Sequence, residues 1–492
     1  MKTECSLEAV DESGELMNNV DVIIIGGGQA GIPLAYGLAK AGKQVVLAER
    51  KFLGGSCVNF GCTPTKAAIA SAKLAHQARR AHEYGLKISN LEVDFQAVIE
   101  RAKRIALNSR KGHDNGLEKS ANPKLIRGHA RLEGKNTDGL FRVLVGNQVV
   151  HAKQVVLNTG TRSFIPMIPG LEQVDVIHAG NWLENLVLPK HLAVIGGGYI
   201  GLEMAQFYAR MGSQVTVLHA GAQIADHEDQ DIATELQNLL EREGIVFKLG
   251  VHIQSVQARE QQVNINFEQN TVVNQLEVSH VFVATGRVNN TDDLGLETLN
   301  VKVNNRGVVE VNDLLETSVP GIFAAGDIRG GLLFTHTAWD DFRVLESQLV
   351  GNKSKTATRI VPYGLFTDPE LGRVGITERE ATAQRLNVKI AKFEFKRNGK
   401  ALEIGETDGF IKLIVDAGTD QILGAAVLGH EGAELVHTYV TAMNAGATLN
   451  VIRDAVFAHP TLQEAIQSVT ALIQSTPGES SSRQPELIHS LK

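Results

Sequence analysis

A pattern of apolar and polar residues occurs twice in the chain, over 20–49 and over 190–219. In each copy an apolar run leads into three glycines, and apolar residues then recur every three or four positions before a second β-branched run. Short apolar runs predict buried strands, whereas the longer period predicts a helix with one buried face. Each copy is therefore predicted to form a strand, a glycine turn, a helix and a second strand.

The two copies align without a gap, so their glycines coincide. In a G-x-G-x-x-G turn the first glycine permits the tight bend, the second lets a pyrophosphate approach the backbone, and the third lets helix and strand pack closely. The helix N-terminus adds N–H groups that favour phosphate. A generic glycine-rich turn is the alternative, but the matched context favours two dinucleotide sites. The glycines are Gly26, Gly28 and Gly31 in the first copy and Gly196, Gly198 and Gly201 in the second.

The residue that ends the second strand differs between the copies. Glu49 ends the first, where an acid hydrogen-bonds ribose hydroxyls, and His219 occupies the equivalent position in the second. The lack of an acid there removes one argument for NAD, and the following AGAQIADHED contains no arginine to select NADP. The sequence leaves the coenzyme open, with a slight preference for NADPH.

Beyond the repeats, LEVSHVFVATGRVNN (276–290) and SVPGIFAAGDIRGG (318–331) predict apolar strands that end in turns of small residues. From about residue 357 strands such as KFEFK, GFIKLIVD and ILGAAVLG precede helical patterns, as in a separate α+β domain. The first 19 residues and the Ser/Pro-rich end are predicted to be flexible.

Length and charge restrict the protein class. A chain of 492 residues needs more than one core, and a net charge of -7 provides no global positive field for nucleic acid or anionic lipid. The acidic N-terminal segment resembles neither a secretory signal nor a transit peptide, and no apolar run reaches the roughly 18 residues of a membrane span. Three cysteines form no extracellular disulfide framework, so the cytoplasm is predicted.

Two of those cysteines, Cys57 and Cys62, lie in GGSCVNFGCTPTK. A bridge between them closes a loop of about six residues and contributes roughly 2 kcal/mol, which makes a purely structural disulfide a poor explanation. A metal site needs further cysteine or histidine ligands that the segment lacks, and two inert thiols are the remaining alternative. Redox chemistry is favoured for two reasons. The pair lies close to the first dinucleotide turn in the sequence, and a helix predicted after Cys62 favours the thiolate that acts as a nucleophile.

Other candidate residues lie far apart in the sequence. His459 and Glu464 in AHPTLQEAI suit a general acid–base pair, although a surface histidine at a helix start is an equal alternative. Lys66 and Glu203 are charged residues in predicted buried surroundings, where pairing with each other would offset the cost of burial. The chain has no H-E-x-x-H, G-x-S-x-G or Walker A lysine, so metalloprotease, α/β-hydrolase and P-loop functions have no support.

Taken in order, the motifs GGGQAG, GGSCVNFGCTPTK, GGGYIGLE, ATGR, GIFAAGD and HPTLQE resemble those of the class I FAD-dependent pyridine nucleotide–disulfide oxidoreductases. This family includes dihydrolipoamide dehydrogenase, glutathione reductase and mercuric ion reductase, and the resemblance extends over about 20–474. It implies an α/β fold with two Rossmann-like domains, for FAD and NAD(P), and a C-terminal α+β dimerisation domain. The implied segments are a flexible tail (1–19), the first part of the FAD domain with the redox disulfide (20–163), the NAD(P) domain (164–286), a central FAD-binding part (287–356), the dimerisation domain (357–474) and a flexible tail (475–492).

The resemblance also implies roles for the reactive residues. Cys57 would be the interchange thiol that attacks the substrate, and Cys62 would lie against the flavin. Lys66 and Glu203 would form an ion pair near the flavin N5. His459 and Glu464 would be the acid–base dyad that serves the disulfide of the other subunit in a homodimer.

Further residues are implied in cofactor binding. Glu49 would hold the adenosine ribose of FAD, Asp327 its ribityl chain, and Tyr199 would cover the nicotinamide pocket. No resident metal site is implied. The remaining candidates for cofactor binding are the six glycines of the two turns together with Gly160, His219 and Gly286 in ATGR.

The substrate is less clearly indicated. The cysteine pairs that mercuric ion reductases usually carry near their C-terminus and in an N-terminal module are missing, and the His–Glu dyad typical of disulfide reductases is present. However, FTHTAWDDFRV and VPYGLFTDPELGRVGIT resemble a mercuric-reductase-like branch. The predicted function is NAD(P)H-dependent reduction, through FAD and Cys57–Cys62, of a small disulfide or the reverse dithiol oxidation, as in dihydrolipoamide dehydrogenase. The alternatives are reduction of metal ions such as Hg(II) or Cu(II), and a flavoprotein subunit of a larger complex.

Overall fold

The computed structural model describes residues 18–260 and 262–473, which divide between Arg359 and Ile360 into two units. The predicted flexible tails lie mostly outside these residues, although Asn18 and Asn19 belong to the first strand. Within the described ranges, no helix is both long and apolar enough to span a membrane. The domain boundaries predicted from the sequence stay predictions.

The first repeat folds into the predicted strand, helix and parallel second strand. Strands β3, β2, β1 and β6 lie side by side in parallel, and β5 and β4 extend the sheet in antiparallel orientation. The elements up to residue 163 are β1 (Asn18–Ile25), α1 (Gly31–Lys40), β2 (Val45–Glu49), α2 (Gly55–Asn59), α3 (Cys62–Arg79), α4 (Phe95–Glu118), β3 (Lys124–Arg127), β4 (Ala130–Lys135), β5 (Phe141–Val145), β6 (Gln148–Leu157) and β7 (Thr161–Ser163).

The second repeat forms the same unit within a separate sheet. Its five parallel strands are ordered β11-β10-β9-β15-β8, and β12, β13 and β14 form an antiparallel sheet beside it in the sequence. The elements from 164 to 286 are β8 (Ile177–His178), β9 (His191–Ile195), α5 (Tyr199–Met211), β10 (Gln214–His219), α6 (Gln230–Arg242), β11 (Val246–Leu249), β12 (Val251–Arg259), β13 (Gln262–Gln269), β14 (Val272–Val278) and β15 (His280–Val283).

The chain then returns to the first sheet through β16 (Arg287–Asn289), β17 (Ile322–Ala324) and α7 (Thr335–Val350). Strand β17 pairs in parallel with β6, and β16 pairs with β7. Helices α1 and α7 cover one face of this sheet, where Leu34, Leu38 and Leu345 are fully buried. The return of the chain brings the start of α7 to the segment that carries the cysteines.

The second unit has one antiparallel sheet, ordered β18-β19-β22-β21-β20. Apolar side chains of its strands pack against Tyr439 and Ile466 of two helices, which gives the unit its own core. The predicted fold class, two Rossmann-like domains and a C-terminal α+β domain, is confirmed. The elements are β18 (Tyr363–Leu365), β19 (Glu370–Gly375), α8 (Glu378–Ala383), β20 (Val388–Glu394), α9 (Gly399–Glu403), β21 (Phe410–Asp416), β22 (Ile422–Gly429), α10 (Gly432–Leu435), α11 (His437–Asn444), α12 (Leu449–Arg453) and α13 (Gln463–Ala471).

Candidate active site

The first glycine turn links β1 to α1 and leaves no room for side chains at two of its positions. Gly26 has a φ of +113°, and a Cβ atom there would lie 2.3 Å from Asn158 O. A Cβ on Gly31 would lie 2.1 Å from Gly26 O, so the helix packs directly against the turn. Gly28 is the glycine expected beneath a pyrophosphate, and a Cβ atom on Gly55 would lie 3.0 Å from its Cα. These contacts give the turn the bare backbone that a dinucleotide phosphate requires.

The second turn, between β9 and α5, repeats this geometry. Gly196 has a φ of +115°, and a Cβ atom there would lie 2.4 Å from Ala284 O. A Cβ on Gly201 would lie 2.0 Å from Gly196 O, whereas one on Gly198 would meet no heavy atom within 4 Å. The backbone at Gly198 is therefore approachable, as a second dinucleotide site demands.

Each turn is closed by the residue that ends the following strand. Gly27 N donates to Glu49 Oε2 at 2.8 Å, and Gly197 N donates to His219 Nδ1 at 3.1 Å. Because Nδ1 accepts this bond, neutral His219 carries its proton on Nε2. That nitrogen lies 3.0 Å from Asp226 Oδ2, without the angle of a hydrogen bond. Sequence reasoning missed Asp226, a carboxylate that the loop after β10 brings to the end of that strand.

Asp327 lies in the short helical turn after β17, close to the end of β6. Thr161 donates its hydroxyl to Asp327 Oδ2 at 2.7 Å, and Arg287 Nε lies 3.8 Å from the same oxygen. Gly160 and Gly286, which precede Thr161 and Arg287, have φ values of +63° and +128°, so both bends use left-handed backbone. Because β17 and β1 both run parallel to β6, Asp327 follows its strand at the same edge of the sheet as the first glycine turn. Its predicted role at the ribityl chain stays a prediction.

A buried carboxylate that the sequence did not reveal holds this turn. Asp341 is fully buried on α7 and accepts hydrogen bonds from Gly326 N at 2.8 Å and Arg329 Nε at 2.7 Å. Arg359 Nη2 donates to its other oxygen at 2.6 Å. The residue before Asp327 is thus fixed to α7 by a charged hydrogen bond. The FTHTAWDDF segment contains two adjacent acids, and nothing in its pattern distinguishes the buried one.

The two cysteines lie where α2 gives way to α3. Cys57 belongs to α2 and Cys62 is the first residue of α3, and both are free thiols that hydrogen-bond each other. Gly61 N donates to Ser56 O at 2.7 Å, which folds the intervening loop back on itself. The buried Trp182 donates its indole N–H to Phe60 O at 2.8 Å, in the middle of that loop. The two sulfur-bearing side chains therefore lie side by side across a firmly held loop.

The electrostatic surroundings distinguish the two thiols. The hydrogen bond from Cys57, with further help from Thr335 and the Lys66 ammonium, lowers the pKa of Cys62 to about 6. Cys62 keeps some accessible surface, but desolvation and the Glu203 carboxylate still oppose this shift. The same hydrogen bond, together with burial, raises the pKa of Cys57. Near neutral pH, Cys62 is a thiolate and Cys57 a thiol that needs a base before it can attack.

Lys66 and Glu203, which sequence reasoning left as a possible pair, form an ion pair. Lys66 Nζ on α3 lies 2.7 Å from Glu203 Oε2 on α5. The side chains are 33% and 7% exposed, so the carboxylate is the more enclosed partner. The pair joins the cysteine helix to the helix of the second glycine turn.

Tyr199 is the first residue of α5, directly after Gly198. Its hydroxyl donates to Glu228 Oε1 at 2.5 Å, and Glu228 is almost fully buried. The ring is thus tethered beside the second glycine turn, where the resemblance expects it to cover the nicotinamide pocket.

In the second unit, His459 and Glu464 form the expected contact. His459 Nδ1 lies 3.0 Å from Glu464 Oε1, and Thr461 N donates to Glu464 Oε2 at 2.9 Å. The Thr461 N–H and then the His459 ring hold the pKa of Glu464 below its usual range. Asn398 Nδ2 donates to Thr461 O at 3.1 Å and so supports the loop from behind. The carboxylate orients an imidazole whose side chain is 76% exposed, which suits proton exchange with a partner.

Comparison with known proteins identifies the family. Residues 20–341 match the family described as pyridine nucleotide-disulphide oxidoreductase, and residues 361–470 match the dimerisation domain of that family. The chain is 33% identical over 463 residues to the probable pyridine nucleotide-disulfide oxidoreductase RclA of Escherichia coli (strain K12), covering 93% of this chain and 100% of RclA. It is 32% identical over 467 residues to dihydrolipoyl dehydrogenase of Geobacillus stearothermophilus, covering 94% of this chain and 98% of that enzyme.

Solved structures agree with this result. The Cu(II) complex of the HOCl-induced flavoprotein disulfide reductase RclA from Escherichia coli has a TM-score of 0.84 and 32% identity, covering 93% of this chain and 100% of that one. The two glycine turns and the adjacent dithiol are the features that such chemistry needs. The chain therefore belongs to the pyridine nucleotide–disulfide oxidoreductase family and is an oxidoreductase that uses FAD and a pyridine nucleotide.

Proposed function

We propose that the enzyme uses NAD(P)H to reduce a small disulfide, or catalyses the reverse oxidation of a dithiol, through Cys57 and Cys62. The observation that carries this proposal is the asymmetric thiol pair, in which the pKa of Cys62 is lowered to about 6 and that of Cys57 is raised. In the reductive direction, one NAD(P)H and one proton convert a disulfide R–S–S–R into two thiols and NAD(P)⁺. Both thiols and both nucleotide turns belong to one unit of the fold.

The bare backbone of the first glycine turn fits the FAD pyrophosphate, with Glu49 at the adenosine ribose and Asp327 at the ribityl chain. The turn at Gly198 fits the nicotinamide dinucleotide, with Tyr199 over its pocket. Bound FAD supplies the two-electron chemistry that links a nicotinamide hydride to a disulfide. The Lys66–Glu203 pair places charge of both signs beside Cys62 and keeps the cysteine helix aligned with α5.

The reduced protein contains a nucleophile, Cys57, and a second sulfur, the Cys62 thiolate, that acts in the later step. Cys57 gives its proton to His459 of the partner subunit and attacks one substrate sulfur, which forms a mixed disulfide and releases R–S⁻. His459 returns the proton to this leaving group. The Cys62 thiolate then attacks Cys57 Sγ, so the Cys57–Cys62 disulfide re-forms and the second R–S⁻ leaves and takes a proton from solvent. Glu464 keeps the imidazole oriented throughout.

We propose NADH as the preferred coenzyme. The sequence alone slightly favours NADPH, because His219 replaces the usual acid. Asp226, with Oδ2 3.0 Å from His219 Nε2, adds a negative charge near the end of β10. A 2′-phosphate there would be repelled, whereas a 2′-hydroxyl can donate to a carboxylate. Asp226→Arg should therefore raise the relative efficiency with NADPH, while Asp226→Asn should lower selectivity without reversing it.

We propose a cytoplasmic homodimer with the domain limits given by the sequence. The dimerisation-domain match supports this assembly, and a reducing compartment suits an enzyme that releases thiols. Mixed dimers test whether His459 of one subunit serves the cysteines of the other. Co-expressed Cys57→Ser and His459→Ala chains should recover disulfide reductase activity that neither variant has alone, because the mixed dimer contains one site with both residues. Absence of recovery in isolated mixed dimers would contradict the proposal.

Reduction of metal ions is the second candidate, supported by the Cu(II) complex of the related RclA. In this reaction, two Cu(II) ions would take the two electrons of the Cys57 thiol and the Cys62 thiolate, giving two Cu(I), a Cys57–Cys62 disulfide and one proton. No thiolate leaving group then needs a proton. His459→Ala should therefore abolish disulfide reduction but leave Cu(II) reduction largely intact.

The decisive experiment follows NADH and NADPH oxidation by the flavin-loaded enzyme with lipoamide, glutathione disulfide, Hg(II) and Cu(II). We expect turnover with a disulfide that is lost in both Cys57→Ser and Cys62→Ser, and mass spectrometry of the oxidised enzyme should find a Cys57–Cys62 bridge. Turnover that survives both substitutions would refute a role for the thiol pair. Activity with metal ions alone would favour the second candidate.

A further inference from the structure

Thr335 brings a hydroxyl to the sulfur of Cys62 from a distant part of the chain. Its Oγ1 lies 3.2 Å from Cys62 Sγ, although the residues are 273 positions apart. Thr335 is the first residue of the 16-residue helix α7, and Cys62 is the first residue of the 18-residue helix α3. The first residues of two long helices therefore meet at this contact, and a helix N-terminus favours negative charge.

The position of Thr335 is held by its neighbours. The rings of Phe334 and His336, on either side of it, stack with centroids 5.4 Å apart. Thr337, two residues further along α7, is buried. One turn later, Asp341 fixes α7 to Gly326 and to two arginines. The hydroxyl is thus presented by a rigid helix.

The direction of this hydrogen bond follows from the charge on sulfur. A thiolate has lone pairs but no proton, so Thr335 must donate whenever Cys62 is ionised. Hydrogen bonds to charged acceptors are roughly twice as strong as neutral ones. In the disulfide, the same sulfur is neutral and accepts only weakly. The contact therefore stabilises the reduced form with its Cys62 thiolate more than the oxidised form.

We propose that Thr335 is a further catalytic residue, whose hydroxyl donates to the Cys62 thiolate and holds this sulfur until it re-forms the bond to Cys57. The proposal deepens the proposed function and rests on it. In the closing step, the Cys62 lone pair forms the S–S bond, the substrate thiolate leaves, and the Thr335 hydroxyl keeps its proton throughout. No proton or electron passes through Thr335.

Other groups also act on Cys62. Cys57 donates from α2, Lys66 lies one turn further along α3, and Glu203 faces the site from α5. From α4, Arg101 donates to Ala67 O at 2.7 Å. The hydroxyl is neutral, so its contribution should persist at high salt, whereas that of Lys66 should weaken. A titration at low and high ionic strength therefore distinguishes the contribution of Thr335 from that of the charged groups.

The test compares Thr335→Val, which keeps the shape but removes the donor, with Thr335→Ser, which keeps the donor. In reduced, flavin-loaded enzyme, the ionisation of Cys62 is followed across pH by its long-wavelength absorption with flavin. Independently, the rate of iodoacetamide labelling is measured on the Cys62 peptide by mass spectrometry. We expect the midpoint of Thr335→Val to rise by about one pH unit at both salt concentrations, with Thr335→Ser near the wild type. A midpoint unchanged in Thr335→Val, or shifted equally in both variants, would overturn the proposal.

Folding and function are separated in the same experiment. Flavin content and circular dichroism report whether each variant folds, and Thr335→Ala replaces Thr335→Val if the latter does not. The titration uses only the reduced thiols, so it stands whether or not a disulfide substrate is found. A shifted midpoint in an enzyme that reduces no disulfide would support Thr335 and refute the proposed function. Normal disulfide turnover with an unshifted midpoint would support the proposed function and refute the role of Thr335.

Discussion

The two members of the Lys66–Glu203 ion pair should shift the ionisation of Cys62 in opposite directions. The ammonium lowers the pKa of Cys62 and the carboxylate raises it. Lys66→Met leaves the carboxylate behind, so the pKa should rise from its value of about 6. Glu203→Gln leaves the ammonium behind, so the pKa should fall. The double substitution should return it close to the wild-type value.

The size of the shift follows from the geometry. Lys66 follows Cys62 by four residues on α3, a spacing that puts Cβ atoms roughly 6 Å apart. A unit charge at about 6 Å contributes roughly 3 kcal/mol at an effective dielectric constant of about 20. Because the Lys66 side chain is 33% exposed, solvent reduces this strongly. A remaining effect of about 1.4 kcal/mol corresponds to about one pH unit.

The assay is an anaerobic pH titration of the reduced enzyme, followed by its long-wavelength absorption. At pH 7 about nine-tenths of the wild-type Cys62 should be thiolate, against about half in Lys66→Met. Urea unfolding provides the control, because the Glu203 side chain is only 7% exposed and loss of either partner should cost about 2–3 kcal/mol. Stability should thus fall in both single variants while the midpoints separate. Midpoints that move together, or not at all, would refute the reasoning.

Three further substitutions test other parts of the site. Gly201→Ala places a Cβ 2.0 Å from Gly196 O, so NADH binding should weaken at least about tenfold while the flavin content stays unchanged. An equal loss of flavin would contradict the assignment of the two glycine turns to separate dinucleotides. Trp182→Phe removes the donor to Phe60 O and should lower the free energy of unfolding by about 1 kcal/mol and slow disulfide exchange, as stopped-flow measurements would report. Asn398→Ala removes the cap of α9 and the bond to the dyad loop. It should cost about 1–2 kcal/mol in urea unfolding and slow disulfide but not Cu(II) turnover; equal slowing of both reactions would argue against a specific effect on the dyad.

The parts of the fold that could be predicted from sequence are those in which the physical requirement lies in adjacent residues. Gly26 and Gly31 are needed because a strand, a turn and a helix meet within a few residues. The structure confirmed that both copies of the repeat form such a turn. The cysteine pair is equally local. Both features could therefore be predicted from neighbouring residues, before any tertiary contact was known.

The parts that sequence reasoning missed depend on contacts across long separations. Thr335 reaches Cys62 only because the chain returns to the first sheet through β17, and a threonine at a helix start is otherwise an ordinary residue. Asp226 lies at the end of β10 because its loop folds back, and Asp341 is buried only by the packing of α7. Lys66 and Glu203 were identified as charges in need of partners, but 137 residues separate them. Sequence patterns alone do not specify which of these distant residues come into contact.

The hydrogen bond from Trp182 to the cysteine loop gives the protein an internal optical reporter. The chain has two tryptophans, Trp182 and Trp339, and they are 1% and 49% exposed. Indole emission depends on solvent contact and on the bond made by its N–H, so the two residues should emit at different wavelengths. In a Trp339→Phe protein, all remaining indole fluorescence comes from a ring bonded to the segment between Cys57 and Cys62. The making and breaking of the disulfide can then be followed by light without labelling either sulfur.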